Sequence, residues 1–168
     1  MKFSLKLTSL LVMAAALTFG GCGSSKKKSS MSGGSDTPAM EGNMPLELNG
    51  DSDSGKAGSL KSVYFGFNSS SLSSSARAAL ESNAAFLKNN SSVKIEVEGH
   101  CDERGGVQYN LALGENRARA VKKYLKAMGV SSSRVRTVSY GKERPVAFGH
   151  DEAAWSQNRR ANFVITAK

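Results

Sequence analysis

Val93-Lys94-Ile95-Glu96-Val97-Glu98 alternates apolar and charged residues without a break, then runs into Gly99-His100-Cys101-Asp102-Glu103-Arg104-Gly105-Gly106. Strict alternation is the pattern of a strand with one face buried and the other wet. Glycines bracketing a cluster of titratable groups mark the exit loop of that strand, and such loops commonly carry binding residues. The period then changes. From Asn110 to Met128, the residues Leu111, Ala118, Val121, Leu125 and Met128 form one helical stripe, and Gly129 supplies a stop.

The same two periods recur on both sides. Ser62-Val63-Tyr64-Phe65-Gly66-Phe67 is β-rich and partly alternating. Ser73 to Asn89 follows helical spacing through Ala76, Leu80, Ala84 and Leu87, with serines at its start suited to capping. Val135 to Tyr140 predicts a third strand, Asp151 to about Asn158 a short helix, and Ala161 to Thr166 a last strand. The order β-α-β-α-β-α-β in about 110 residues predicts an α+β sandwich with its helices on one face of a sheet. There is no internal repeat.

At 168 residues the chain has room for one ordinary domain plus appendages, and its net charge of +9 favours anionic partners. The N-terminus supplies the compartment. Lys2 and Lys6 precede an apolar run from Leu7 to Phe19, then Gly20, Gly21 and Cys22. That order is a secretory signal, too short to span a bilayer, for which about 20 residues are needed. Ending on Cys, it resembles the bacterial lipoprotein signal, in which the Cys is acylated; Phe19 stands where that pattern usually has Leu. Three acyl chains would anchor Cys22 firmly. Gly23, where Asp tends to retain such proteins in the inner membrane, implies the outer membrane. Secretion argues against a nucleic-acid partner despite the charge.

These readings divide the chain into a signal at 1–21, an acylated Cys and tether at 22–58, and a domain at 59–168. The tether is rich in Ser, Gly, Asp and Asn and nearly free of large apolar residues, so it cannot offset its ordering entropy. Some 35 residues of such coil reach roughly 30–35 Å on average. Lys26, Lys27 and Lys28 beside the anchor read as a solvated run or as a contact for anionic headgroups. With Cys22 acylated, Cys101 has no disulfide partner, and stability must come from a core.

Arg117 breaks the helical pattern. Arg119, Lys122, Lys123 and Lys126 fall on the wet side, whereas Arg117 flanks the apolar stripe beside Leu113, Val121 and Tyr124. A cation there needs a partner, and a guanidinium suits a bidentate carboxylate. Two partners fit: Asp102 or Glu103 of the chain itself, or a ligand. Asn158-Arg159-Arg160 before the last strand reads as one solvated and one structural arginine.

Tyr64-Phe65-Gly66-Phe67, Gly99 to Gly105, Tyr109-Asn110, Leu113-Gly114-Glu115-Asn116-Arg117-Ala118, Ser139 to Pro145 and Asn158-Arg159-Arg160-Ala161 occur in the order of the OmpA-like C-terminal domain family. The chain resembles its lipid-anchored, wall-associated members from Lys61 to Ile165. The resemblance implies a mixed sheet and a non-catalytic receptor for peptidoglycan that ties the outer membrane to the wall. The ligand it implies is diaminopimelate of the stem peptide, with an ammonium and a carboxylate on one carbon. By resemblance Asp102 takes the ammonium and Arg117 the carboxylate. Asn110, Phe67 and Arg160 complete the site, with Asn68 where the family usually has Asp. Replacing Asp102 or Arg117 with Ala is then expected to weaken binding to sacculi at least tenfold in a folded domain. The implied partners are peptidoglycan, the outer membrane through Cys22, and a TolB-like periplasmic β-propeller of the Tol system. No cofactor or metal is implied.

The enzymatic alternative is a metal- or thiol-dependent wall hydrolase. His100, Cys101, Asp102 and His150 are ligand types, but consecutive loop residues rarely converge on one ion, and no zinc-type spacing is present. A thiol mechanism would need His150 beside Cys101.

Overall fold

The computed structural model describes residues 45–168. The expected signal, Cys22, Lys26 to Lys28 and the first part of the expected tether lie outside the described residues. The elements are β1 (Val63–Tyr64), α1 (Ser74–Asn89), β2 (Lys94–His100), α2 (Val107–Ala127), a 3₁₀ turn (Ser132–Arg134), β3 (Val135–Gly141), α3 (Glu152–Asn158) and β4 (Arg160–Ala167). The sheet order is β1-β4-β2-β3. β2 and β3 run parallel, as a helical crossover requires, and β4 is antiparallel to both β1 and β2. The α+β class and mixed sheet are as the sequence predicts.

Alternation places the core. Ile95 and Val97 of β2 pair with Ile165 and Phe163 of β4, and all four are fully buried. Over them lie Leu80, Ala84 and Leu87 of α1 and Ala118, Val121 and Leu125 of α2. Ser73 caps α1 by accepting from the Ala76 N–H at 3.1 Å. Asn83, buried in the same helix, binds both the N–H and the carbonyl of Lys61, tying α1 to the strand ahead of it.

Close approach at one point sets the position of α2. A Cβ on Gly99 of β2 would fall 1.9 Å from the carbonyl oxygen of Gly114 in α2, and one on Gly114 would fall 2.3 Å from Ser139 Oγ. Only glycine lets helix and strand touch here. That contact brings Arg117, one turn further on, down onto the loop leaving β2.

Two boundaries differ from the sequence reading. α2 begins at Val107 rather than Asn110, because Val107 and Tyr109 are exposed and add nothing to the apolar stripe. β1 pairs over two residues only, since the chain turns away through Gly66 to Asn68, where φ reaches +49°.

The larger correction concerns the tether, which does not extend to residue 58. The Asn49 N–H bonds the Ile165 carbonyl at 2.9 Å, the Ile165 N–H bonds the Gly50 carbonyl at 3.0 Å, and the Ser52 N–H bonds the Phe163 carbonyl at 2.9 Å. Ala57 is fully buried and Leu46 packs on the core. Residues 45–58 are therefore a strap that continues the line of the short β1 and seals the rest of the β4 edge. An open edge invites pairing with other chains, and covering it is a standard remedy. Irregular geometry and small residues hid the strap from pattern reading.

Candidate functional site

Three segments meet at the end of the sheet: the loop after β2, the turn after β1, and the first three turns of α2. Between them is a cavity of about 150 Å³, lined by Phe67, Asn68, Asp102, Asn110 and Arg117 among others. A water takes about 30 Å³ in the liquid, so the space admits the head of an amino acid.

Arg117 is fully buried. Its Nε donates to the Ser69 carbonyl at 2.9 Å, Nη1 to the His100 carbonyl at 2.7 Å and to Cys101 Sγ at 3.4 Å, and Nη2 to the Gly66 carbonyl at 3.1 Å. A guanidinium carries five N–H bonds; among the described residues, one on Nη2 has no protein acceptor. None of its partners is a carboxylate. Of the two partners open from the sequence, the internal acids Asp102 and Glu103 are not the ones it meets. Burial works against this charge and lowers its proton affinity, and the pull of Cys101 and Asp102 offsets that only in part.

Asp102 is buried and occupied. Its Oδ1 accepts from the backbone N–H of Arg104 at 3.1 Å and from Arg104 Nε at 3.2 Å. Its Oδ2 accepts from Arg104 Nη2 at 2.6 Å and Arg159 Nη1 at 3.3 Å. Burial pushes the carboxyl up, but the hydrogen bonds from Arg104 and Arg159 outweigh it and hold Asp102 below the usual carboxylate range. It is ionised at neutral pH.

Asn110 spends its amide hydrogens on the carbonyls of Arg104 at 2.8 Å and Gly106 at 3.2 Å, closing the loop back onto α2. Asn68 accepts from the Tyr109 hydroxyl, and Phe67 stands 60% exposed at the rim. Glu103 leaves the cavity: its carboxylate takes His150 Nδ1 at 2.7 Å and Trp155 Nε1 at 2.8 Å. The bond from His150 lowers the Glu103 carboxyl and raises the His150 imidazole.

Five of the six expected ligand residues thus come together: Asp102, Arg117, Asn110, Asn68 and Phe67. Arg160 does not. In β4 the odd positions Ala161, Phe163 and Ile165 face the core, so Arg160 turns to the opposite face, where its Nε meets Asp53 Oδ2 at 2.6 Å. Its neighbour Arg159 lines the cavity instead, and both arginines are buried, so neither is the solvated one. The alternation of the last strand carried that information. Arg104 was missed too, because an exposed-looking cation in a loop gives no pattern.

Cys101 also touches the cavity. Its thiol is buried, contacts the Asn110 carbonyl at 3.4 Å, and is pushed up by that burial, so it is a poor nucleophile. Among the described residues no histidine hydrogen-bonds it, and no three His, Cys, Asp or Glu side chains gather as ligands for one ion.

A profile described as the OmpA family matches residues 64–160. The chain is 43% identical over 160 residues to the peptidoglycan-associated lipoprotein of Pasteurella multocida, covering 93% of this chain and 96% of that one. It is 42% identical over 161 residues to the protein of the same name from Pseudomonas aeruginosa, with 95% of each chain covered. Among solved structures, the peptidoglycan-associated lipoprotein of Burkholderia pseudomallei superposes with a TM-score of 0.60 at 49% identity, over 62% of this chain and 88% of that one. The C-terminal domain of Helicobacter pylori MotB, at 22% identity and a TM-score of 0.59, covers 63% of this chain and 83% of its own, and shares the fold.

Proposed function

The chain belongs to the OmpA family and, within it, to the peptidoglycan-associated lipoproteins, and on that footing we propose that its cavity grips diaminopimelate in the stem peptide of the wall without acting on it chemically. One observation carries the reading. The Arg117 guanidinium is fully buried, borders a cavity, and meets no carboxylate among the described residues. Burying a charge without its counter-charge is costly. A ligand carboxylate supplies it, and the remaining Nη2 hydrogen is the point of contact.

The other charges fit a zwitterion. Asp102 lies in the same cavity as Arg117, so an ammonium and a carboxylate on one carbon can address both. Arg104, Arg117 and Arg159 outnumber Asp102 in the lining, which favours a ligand with at least one full negative charge. Asn110 and Asn68 add amide groups at the wall of the cavity, and Phe67 packs on the ligand stem.

A pair of synthetic tripeptides tests this. One ends in diaminopimelate; the other carries lysine there, which keeps the ammonium but lacks the adjoining carboxylate. A charge-assisted hydrogen bond contributes about 1.5–3 kcal/mol, and 1.4 kcal/mol is tenfold in affinity. The lysine peptide is expected to bind at least tenfold more weakly by calorimetry. Equal affinities would remove Arg117 from the contact.

The same reading assigns the rest of the chain. Residues 1–21 direct export, Cys22 carries the lipid that holds the protein in the outer membrane, and the segment ahead of the strap spans the distance to the wall. Exposed Phe67 and Tyr109 at the rim of the cavity suit a TolB-like β-propeller of the Tol system on the same surface. Soluble stem peptide should then displace that partner; simultaneous binding would separate the two surfaces.

A further inference from the structure

Asp102 has no vacancy. An ionised carboxylate offers about four acceptor positions, and here it accepts four hydrogen bonds, three of them from Arg104. An incoming ammonium therefore has to replace a donor. The backbone N–H of Arg104 is part of the loop. Arg159 is fixed: its side chain is 7% exposed, and it is also held by the Phe65 carbonyl and by Glu152. The Arg104 side chain is the one that can yield: it is 30% exposed and, apart from Asp102 itself, is held between the faces of Phe67 and Trp155, at 4.0 and 3.9 Å from their ring centroids.

We infer that Arg104 is a gate: in the free protein its guanidinium occupies the place of the ligand's ammonium on Asp102, and binding displaces it. A destination is already beside it. Glu152 Oε2 lies 3.9 Å from Arg104 Nη2, and the Glu152 side chain is 65% exposed, so the displaced cation moves from one carboxylate to another. The gate keeps Asp102 paired, and so out of reach of single cations, until a ligand also brings a carboxylate to Arg117. It makes Arg104 a selectivity residue that opposes binding, although it lines the cavity and carries a charge complementary to much of the ligand. This inference rests on the reading of the cavity as a stem-peptide receptor.

Trp155 is the one tryptophan of the chain, so its emission reports whether a guanidinium covers its ring. The full chain in detergent is titrated with the diaminopimelate tripeptide, following heat and tryptophan emission together. Both signals are expected to saturate with one midpoint. In Arg104→Ala the emission response should vanish while the heat remains, with affinity equal to or severalfold tighter than wild type. Heat without an emission change in the wild-type chain, or weaker binding by Arg104→Ala, overturns the gate. Should that variant fail to fold, the wild-type emission decides alone. Absence of heat from the wild-type chain would overturn the receptor reading itself, and the gate with it.

Discussion

Replacing Arg117 with alanine is expected to cut retention by isolated sacculi at least tenfold and, in the same variant, to lower the melting temperature. The first effect follows from the contact with the ligand carboxylate, about 1.5–3 kcal/mol for a charge-assisted bond. The second goes beyond the sequence reading, which expects only that the domain stays folded. Arg117 holds the carbonyls of Gly66, Ser69 and His100, and so joins the turn after β1 to the end of β2. Each buried acceptor left without a donor costs about 1–3 kcal/mol. Relief from burying the charge offsets part of this, leaving a loss on the order of a few kcal/mol. Binding must therefore be measured well below the variant's melting point, with circular dichroism as the check. Unchanged retention would remove Arg117 from the site; an unchanged melting temperature would mean the three carbonyls find other donors.

A chain beginning at residue 59 should be far less stable than one beginning at 45, and should self-associate. Without the strap, β4 loses its partners at Ile165 and Phe163, and its edge is open. Arg160 loses its ion pair with the partly exposed Asp53, and the core loses the apolar contacts of Leu46 and Ala57, together on the order of a few kcal/mol. In a domain of this size that corresponds to a fall of roughly ten degrees or more. Thermal denaturation compared with size-exclusion chromatography decides it. Equal melting temperatures for the two chains would show that the strap adds nothing.

The regular parts of this fold were legible because each period has one physical cause. Ile95 and Val97 alternate because a sheet has two faces, and Leu80, Ala84 and Leu87 recur because one helical face is dry. The strap was not legible, because its pairing with β4 is by backbone hydrogen bonds that leave no mark on side-chain pattern, and its two apolar anchors, Leu46 and Ala57, are too far apart to show a period. Arg117 stood out because a cation beside an apolar stripe contradicts the helix it sits in. Arg160 was misplaced although the parity of Ala161, Phe163 and Ile165 already turned it away from the cavity. Arg104 could not be found at all: its role depends on Phe67 and Trp155, 37 and 51 residues distant in the chain, closing over it in three dimensions.

A crystal structure of the protein with the diaminopimelate tripeptide bound decides whether the cavity beside Arg117 is the receptor. The ligand carboxylate should lie within hydrogen-bond distance of Arg117 Nη2 and its ammonium against Asp102, with the Arg104 side chain turned toward Glu152. A tripeptide bound elsewhere, with Arg117 still meeting only the carbonyls of Gly66, Ser69 and His100 and the Cys101 thiol, would contradict it.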